Sequence, residues 1–312
     1  MSIPFHRLAR TTRINPAKPA RWWHSLAEVL VFILAGLVLA NLWYRASLAL
    51  ADSFGVPRAT LNSSEATHPL GLVDLTMYII IMMPAALIAA RLGGRRIAGF
   101  TWSVAGRIRW SWLWRSVPPV LAVYLVYCAV AIFTGDNGAV HIDRGALVML
   151  VVIFALIPLQ AAAEEVVFRG WLPQLLGTWI RNPLVPYLVS LPIFMAGHEY
   201  GFKGQIDIAI FATCAAALTH YTRGLEAAII LHTAGNLTAF GLETIGVFES
   251  ATSDAGFAWS SVVGSAIATV AATLLLLRLS TLRLESPGTG PRPGAAQPGA
   301  PRESEGTDAL AR

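Results

Sequence analysis

Residues 146–172 read ALVMLVVIFALIPLQAAAEEVVFRGWL, an apolar run of membrane-spanning length that ends in two consecutive glutamates and an arginine. A helix needs about 20 apolar residues to cross the hydrocarbon core of a bilayer. Hydropathy over windows of about 19 residues indicates seven further segments of this kind, at 25–48, 72–92, 117–133, 184–200, 206–222, 225–242 and 258–279. The sequence therefore predicts an all-α, polytopic membrane helix bundle with about eight transmembrane helices.

The composition of the 312-residue chain agrees with this interpretation. Hydrophobic residues make up 55% of the chain, charged residues make up 13%, and the mean hydropathy is +0.58. Soluble domains carry about a quarter charged residues, so a soluble enzyme, a coiled coil and a disordered protein are excluded. The net charge of +5 comes from the short segments that flank the apolar runs, so it indicates no nucleic-acid partner. Cys128 and Cys214 both lie inside apolar runs and predict no disulfide framework.

The distribution of basic residues predicts the orientation of the chain. With the N-terminus inside, all but four of the 23 Lys and Arg residues fall in cytoplasmic segments, and the exceptions are Arg45, Arg58, Arg144 and Lys203. The stretch Ala49-Leu50-Ala51 resembles a signal-peptide cleavage site, but Arg45 precedes it closely and favours an uncleaved span. We expect an integral protein of a bacterial cell membrane with both termini in the cytoplasm.

Three regions follow from this distribution and from the composition of the chain ends. Residues 1–24 form a basic cytoplasmic N-terminal segment and residues 25–280 form the helix bundle. Residues 281–312 are rich in Pro, Gly, Ala and Arg, a composition that cannot bury enough apolar surface to fold. We therefore expect a disordered cytoplasmic tail.

Three of the apolar segments carry polar side chains at positions that lipid would otherwise surround. An ionisable group at the centre of a membrane helix costs about 2.5–3.5 kcal/mol on insertion scales, so each one needs a structural or functional reason. Taken singly, each is accounted for as an interfacial charge cluster, a surface dipeptide or a hydrogen bond between helices. Their combination on neighbouring spans at compatible depths favours a shared polar cavity. The residues concerned are Glu164, Glu165, Arg169, His198, His232 and Asn236.

Helical spacing suggests different roles for these residues. Residues four apart lie on one face of a helix, so Glu165 and Arg169 are expected to pair as a structural clamp. Glu164 then points about 100° away from that pair, towards a cavity in which it could act as a general base. His232 and Asn236 also lie four apart and present an imidazole and a carboxamide on one face of their helix.

The motifs Glu-Glu-x-x-x-Arg, Phe-x-x-x-His and His-x-x-x-Asn occur here in this order on successive apolar segments. This set resembles the CAAX-processing and bacteriocin-processing family of intramembrane proteases, the type II CAAX prenyl endopeptidases. The resemblance covers about residues 146–242, which we take as a protease-like core. It implies an endopeptidase that hydrolyses a peptide bond near the cytoplasmic side of the membrane. The substrate would be a CAAX-type or other peptide or protein, lipidated in the CAAX case.

The same resemblance implies a role for each motif residue. Glu164 and His198 would activate and position a water molecule, and His232 and Asn236 would stabilise the oxyanion. Glu165 and Arg169 match the remaining positions of the first motif. We still expect these two residues to pair as a structural clamp.

Two alternatives stay open at this point. Glu164, His198 and His232 could supply a catalytic zinc set, although no His-Glu-x-x-His run is present to pre-form such a site. The resemblance implies a metal-free glutamate mechanism, so we expect no cofactor and keep zinc as the alternative. The rival function is a non-catalytic membrane protein, such as a bacteriocin immunity factor or a transporter subunit, in which the polar cluster binds a ligand. The expected partners are a peptide substrate and membrane lipids.

Overall fold

A computed structural model of the chain describes residues 3–15, 21–62, 68–134, 140–248 and 258–285. Within these ranges the chain is helical, and its only extended pairings are two isolated bridges. The α-helices are α1 (Leu8–Thr11), α2 (Trp22–Phe54), α3 (Pro69–Ile80), α4 (Met82–Leu92), α5 (Trp110–Thr134), α6 (Arg144–Glu165), α7 (Leu172–Leu176), α8 (Leu184–Ala196), α9 (Phe202–Thr222), α10 (Glu226–Thr244) and α11 (Trp259–Glu285).

Each of the eight predicted apolar segments is helical. Six are long and apolar enough to cross a membrane, namely α2, α3 with α4, α5, α6 through α7, α9 and α11. Helix α8 has 13 residues and is shorter than the about 20 that a span needs. Helix α10 carries Glu226, His232 and Asn236 and is not among the six in the described part of the chain. The all-α polytopic bundle is thus confirmed, whereas the number of eight crossings and the orientation of the termini stay predictions.

Local sequence signals account for several helix boundaries. Helix α2 ends where Gly55 adopts a left-handed backbone with φ +64°. The predicted span 72–92 is split at Ile81, because Pro84 cannot donate a hydrogen bond to the carbonyl of Ile80. Asp143 caps α6 by accepting a hydrogen bond of 2.7 Å from the backbone N–H of Ala146.

The fourth span differs from its predicted form. The apolar run ends at Leu172, directly before Pro173, but the helical path does not stop there. Helix α6 passes into a π-helical turn at Val166–Trp171, and α7 then continues to Leu176. Pro173 sits in the first turn of α7, where a missing N–H group is tolerated. The π-turn starts immediately after the two glutamates and contains Arg169.

A tight turn joins α9 to α10 and fixes the start of α10. Arg223 adopts a left-handed backbone with φ +59°. Glu226 is 1% exposed and accepts from Arg109 Nε at 2.9 Å and from Arg109 Nη2 at 2.6 Å. From the sequence, Glu226 is an ordinary interfacial residue. In the structure its bidentate pair with Arg109 anchors the first turn of the helix that carries His232.

Helix α10 lies in the centre of the bundle, against α5, α6, α9 and α11. Small side chains at these contacts let the helix backbones approach closely, as is typical of membrane helix interfaces. Ala215, Ala227, Ala228 and Ala272 are all completely buried there. The central position of α10 places its polar face inside the protein.

The basic N-terminal segment also packs against the bundle. Phe5 and Leu8 are buried in a cluster with Trp171 and Leu175, which belong to the π-turn and α7. His6, for which we predicted no role, is buried as well. At the other end, α11 continues to Glu285, beyond the bundle limit predicted at residue 280. The disordered tail was predicted to begin at residue 281, and its part from 286 onward lies outside the described residues.

Candidate active site

Glu164 lies in the last turn of α6 and is 4% exposed. Its Oε2 is 3.2 Å from Nε2 of His232 on α10. Ala161 and Ala163, both fully buried, flank this position and leave room for α10 to approach. The structure therefore joins the first and third sequence motifs through a direct contact between a carboxylate and an imidazole.

His232 is placed between the two glutamates. Its Nδ1 lies 2.8 Å from Oε1 of Glu165, while Nε2 faces Glu164. A neutral imidazole can donate through one nitrogen only, so both contacts can be hydrogen bonds only when the ring is protonated. The shorter contact identifies Glu165 as the partner that orients the ring.

Glu165 and Arg169 form a buried ion pair. Arg169 Nη1 lies 3.2 Å from Glu165 Oε1, and the side chains are 2% and 0% exposed respectively. The guanidinium carbon of Arg169 also lies 4.0 Å from the centroid of the Phe194 ring, in a cation–π contact. This geometry suits the predicted clamp, because the pair ties α6 to the π-turn and Phe194 connects it to α8. The clamp role itself stays a prediction.

The cluster retains unused hydrogen-bonding capacity. Oε2 of Glu164, Oε2 of Glu165 and both terminal nitrogens of Arg169 are buried without a hydrogen-bond partner among the described residues. The ion-pair distances are short, but these atoms do not meet hydrogen-bond geometry. Buried polar groups are normally satisfied by protein or by ordered water, so exceptions point to a place where another molecule binds.

His198 follows α8 on a bend, since the helix ends at Ala196 rather than at the predicted Tyr200. Its Nδ1 lies 2.8 Å from the carbonyl oxygen of Phe194. A carbonyl only accepts, so Nδ1 carries the hydrogen and Nε2 of the neutral ring is left with a lone pair. Gln205 on α9 donates to the backbone carbonyl of His198 at 2.8 Å and holds the bend in place.

Asn236 lies one turn beyond His232 on α10. Its Nδ2 donates to Oε1 of Gln160 on α6 at 3.0 Å. Gln160 is 5% exposed and was missed by sequence reasoning. The signal for it was available, because a polar residue four positions before Glu164 lies on the same helix face.

A cavity of 110 Å³ adjoins these residues and is lined by His198, His232 and Asn236. A space of this size has room for water molecules beside the polar side chains. Asp207 near the start of α9 and Glu243 near the end of α10 also line it. The cavity therefore extends towards the helix ends that we predict to lie on the outer side.

The six predicted residues thus fall into two groups. Glu164, Glu165, Arg169 and His232 are in direct contact. Within the described ranges, no hydrogen bond links His198 or Asn236 to Glu164. His198 instead approaches the cluster through Phe194, whose ring centroid lies 4.6 Å from the His198 ring and 6.2 Å from the His232 ring.

Glu164, His198 and His232, the ligands of the alternative zinc set, are not grouped together as metal ligands among the described residues. Glu164 and His232 approach each other, but catalytic zinc sites use three protein ligands. The metal-free mechanism and the zinc alternative both stay predictions from the sequence.

Residues 144–238, a range that contains all six predicted residues, match the model of a protease family. That family is the Rce1-like type II CAAX prenyl endopeptidases. The resemblance inferred from the three motifs is confirmed for this segment, and the six long apolar helices agree with an integral membrane protein. No curated protein and no solved structure matches the chain.

Proposed function

We propose that the protein is an intramembrane endopeptidase that hydrolyses a peptide bond at the floor of the cavity lined by His198, His232 and Asn236. One observation carries the proposal. The buried carboxylate of Glu164 contacts His232 at 3.2 Å, beside this cavity and inside the segment that matches the Rce1-like family. A carboxylate in such a buried site is suited to general base catalysis once a water molecule reaches it from the cavity.

In this mechanism Glu164 accepts a proton from a water molecule as the water oxygen bonds to the carbonyl carbon of the substrate. Nε2 of His198 accepts a hydrogen bond from the same water, because its Nδ1 hydrogen is held by the Phe194 carbonyl. When the tetrahedral intermediate collapses, Glu164 returns the proton to the amine leaving group and the C–N bond breaks.

His232 and Asn236 supply donors for the negative charge that develops on the carbonyl oxygen. Nδ2 of Asn236 gives one hydrogen to Gln160 and has a second for the oxyanion. With its ring protonated, His232 would donate from Nδ1 to Glu165 and from Nε2 to the carbonyl oxygen of the substrate. The carbonyl oxygen would take the position opposite Nε2 that Oε2 of Glu164 holds at 3.2 Å, and Glu164 would then be able to bind the water.

The substrate we propose is a CAAX-type peptide cleaved without a metal, with the scissile bond nearer the predicted cytoplasmic ends of α6 and α10. His232 lies six residues from the start of α10, or about 9 Å along the helix. The cavity lined by His198, His232 and Asn236 would receive the part of the peptide on one side of the cleaved bond. At 110 Å³ it must widen to accept more than one small side chain.

The test compares E164Q with the wild-type protein and with E199Q, all in lipid nanodiscs with CAAX-type reporter peptides in prenylated and unprenylated form. Glu164→Gln preserves the shape of the side chain and removes its basicity, so we expect turnover to fall by about 10²–10⁴-fold. Glu199 is exposed and adjacent to His198, and E199Q should keep wild-type turnover. Thermal unfolding of each variant checks that the fold is intact.

Full turnover by E164Q would rule out Glu164 as the base. Loss of turnover on adding a chelator, with recovery on adding zinc, would overturn the metal-free mechanism. A protein that cleaves neither form of the peptide under any condition would favour the non-catalytic alternative.

A further inference from the structure

Two adjoining cavities lie where the N-terminal segment meets the start of α2 and the end of α4. Their volumes are 310 and 740 Å³, and they share Arg13, Arg21 and His24 as lining residues. Arg10 and Arg96 complete the smaller cavity, and Arg91 and Arg95 complete the larger one. We call this region the arginine pocket. It lies apart from the candidate active site.

The arginine pocket carries a large excess of positive charge. Glu28 is the one carboxylate among its described lining residues. That carboxylate is already matched, because Arg96 donates to it at 2.7 and 3.0 Å and both side chains are buried. The remaining arginines therefore line the pocket without a negative charge from the other lining residues to match them. They are Arg10, Arg13, Arg21, Arg91 and Arg95.

Hydrogen bonds between backbone groups hold the segment of Arg13 beside the segment of Arg95 and Arg96. Ile14 donates to the carbonyl of Arg95 at 3.1 Å, and Ile97 donates to the carbonyl of Thr12 at 2.8 Å. Arg13 and Arg96 form the bridge between the two strands of chain. Arg95 adopts a left-handed backbone with φ +51°, a conformation that non-glycine residues rarely occupy. The chain thus holds like charges close together at a conformational cost.

Arg13 has unused hydrogen-bonding capacity that points to a ligand. It is 7% exposed and lines both cavities, yet its Nε is buried without a hydrogen-bond partner among the described residues. Burial and the neighbouring charge of Arg95 lower the pKa of Arg13. An anion with several acceptor oxygens would satisfy Nε and offset the repulsion.

We propose that the arginine pocket binds the phosphate of an anionic phospholipid headgroup. The neighbouring surface favours a lipid over a soluble anion, because large apolar side chains are exposed directly beside the pocket. Leu26, Leu30 and Leu92 are between 56% and 64% exposed and offer a path for acyl chains along α2 and α4. Trp22 and Trp23 lie at the start of α2, where indole rings prefer the headgroup region of a bilayer.

The test measures lipid retention and affinity with the full chain. The wild-type protein, R91Q/R95Q and R115Q are placed in phosphatidylcholine nanodiscs with or without about 10% phosphatidylglycerol, an anionic lipid, and bound lipid is counted by native mass spectrometry. Arg91 and Arg95 are exposed, so their replacement should leave the fold intact. Arg115 is an exposed arginine on α5 outside the pocket and serves as the matched control.

We expect the wild type to retain phosphatidylglycerol in preference to phosphatidylcholine, and R91Q/R95Q to bind it about tenfold or more weakly. R115Q should bind as the wild type does, and millimolar inorganic phosphate should not displace the lipid. R13Q should show the same loss, and its unfolding temperature shows whether it is folded. Equal retention of both lipids, or an equal loss in R115Q, would overturn the proposal. Displacement by inorganic phosphate would assign the site to a soluble anion instead.

Discussion

Replacing Glu165 by Gln should lower the stability of the protein far more than the same replacement of its neighbour Glu164. The substitution keeps the shape of the side chain but leaves Arg169 as a buried cation above the Phe194 ring. At 3.2 Å and an effective dielectric constant of about 20, the lost attraction is about 5 kcal/mol. Removing one partner of a buried ion pair costs about 3–5 kcal/mol in other proteins, so the two figures agree. We expect E165Q to be strongly destabilised, whereas E164Q loses turnover with little change in stability.

The assay is unfolding of the purified protein in mixed micelles, with D52N as the matched control. Asp52 pairs with Arg58 at 2.8 Å, but these side chains are 56% and 63% exposed. Water and salt screen an exposed pair strongly, so D52N should be nearly neutral. The double variant E165Q/R169Q should lose less stability than the two single variants lose together, because neither charge is then buried without its partner. Equal stabilities of E165Q and D52N would refute the clamp.

Two further substitutions test how other parts of the chain support the site. Gln160→Met removes the acceptor of Asn236 with little change in volume, so kcat should fall by about tenfold with KM nearly unchanged, as steady-state kinetics would show. An unchanged kcat would mean that Gln160 does not position the oxyanion donor. Gly177→Ala would force a methyl group against the carbonyl oxygen of His6 and should destabilise the protein by about 1–3 kcal/mol in the same unfolding assay. Gly36→Ala is its control, since a methyl group there meets no other atom within 4 Å, and equal effects of the two variants would contradict the packing of the N-terminal segment.

The fold was predictable from the sequence because apolar runs of span length rarely occur outside membrane helices. Hydropathy located each helical segment, and the three motifs indicated which helices carry the polar side chains. The end of α8 was placed too late, since hydropathy averaged over a long window extends the span to Tyr200 while the helix ends at Ala196, before Gly197. The π-turn after Glu165 leaves no mark in hydrophobic periodicity, so the path of the chain beyond it could not be predicted.

Contacts between distant parts of the chain could not be predicted from one sequence. Glu28 and Arg96 form a buried pair across 68 positions, and Arg109 and Glu226 do so across 117. No local pattern connects such partners, and each residue alone resembles an ordinary charge near a membrane boundary. His232 and Asn236 lie four positions apart on one helix, so the sequence suggested that they act together. Glu165 and His232 are distant in the chain, so the sequence did not suggest that Glu165 holds the ring of His232.

The π-turn at Val166–Trp171 has a consequence for insertions and deletions. A π-turn holds one more residue than an α-helical turn, and here it is closed by a hydrogen bond from Leu172 to the carbonyl of Val167, five residues earlier. Deleting Gly170 would remove the surplus residue and return this turn to α-helical winding, so the residues downstream would keep their orientation relative to the two glutamates. Gln174, which accepts from Arg96 at 2.6 Å, would stay opposite its partner, whereas the same deletion within the regular part of α6 would rotate it by about 100°. The wide turn therefore absorbs one additional residue between Glu165 and the contact of Gln174 with Arg96.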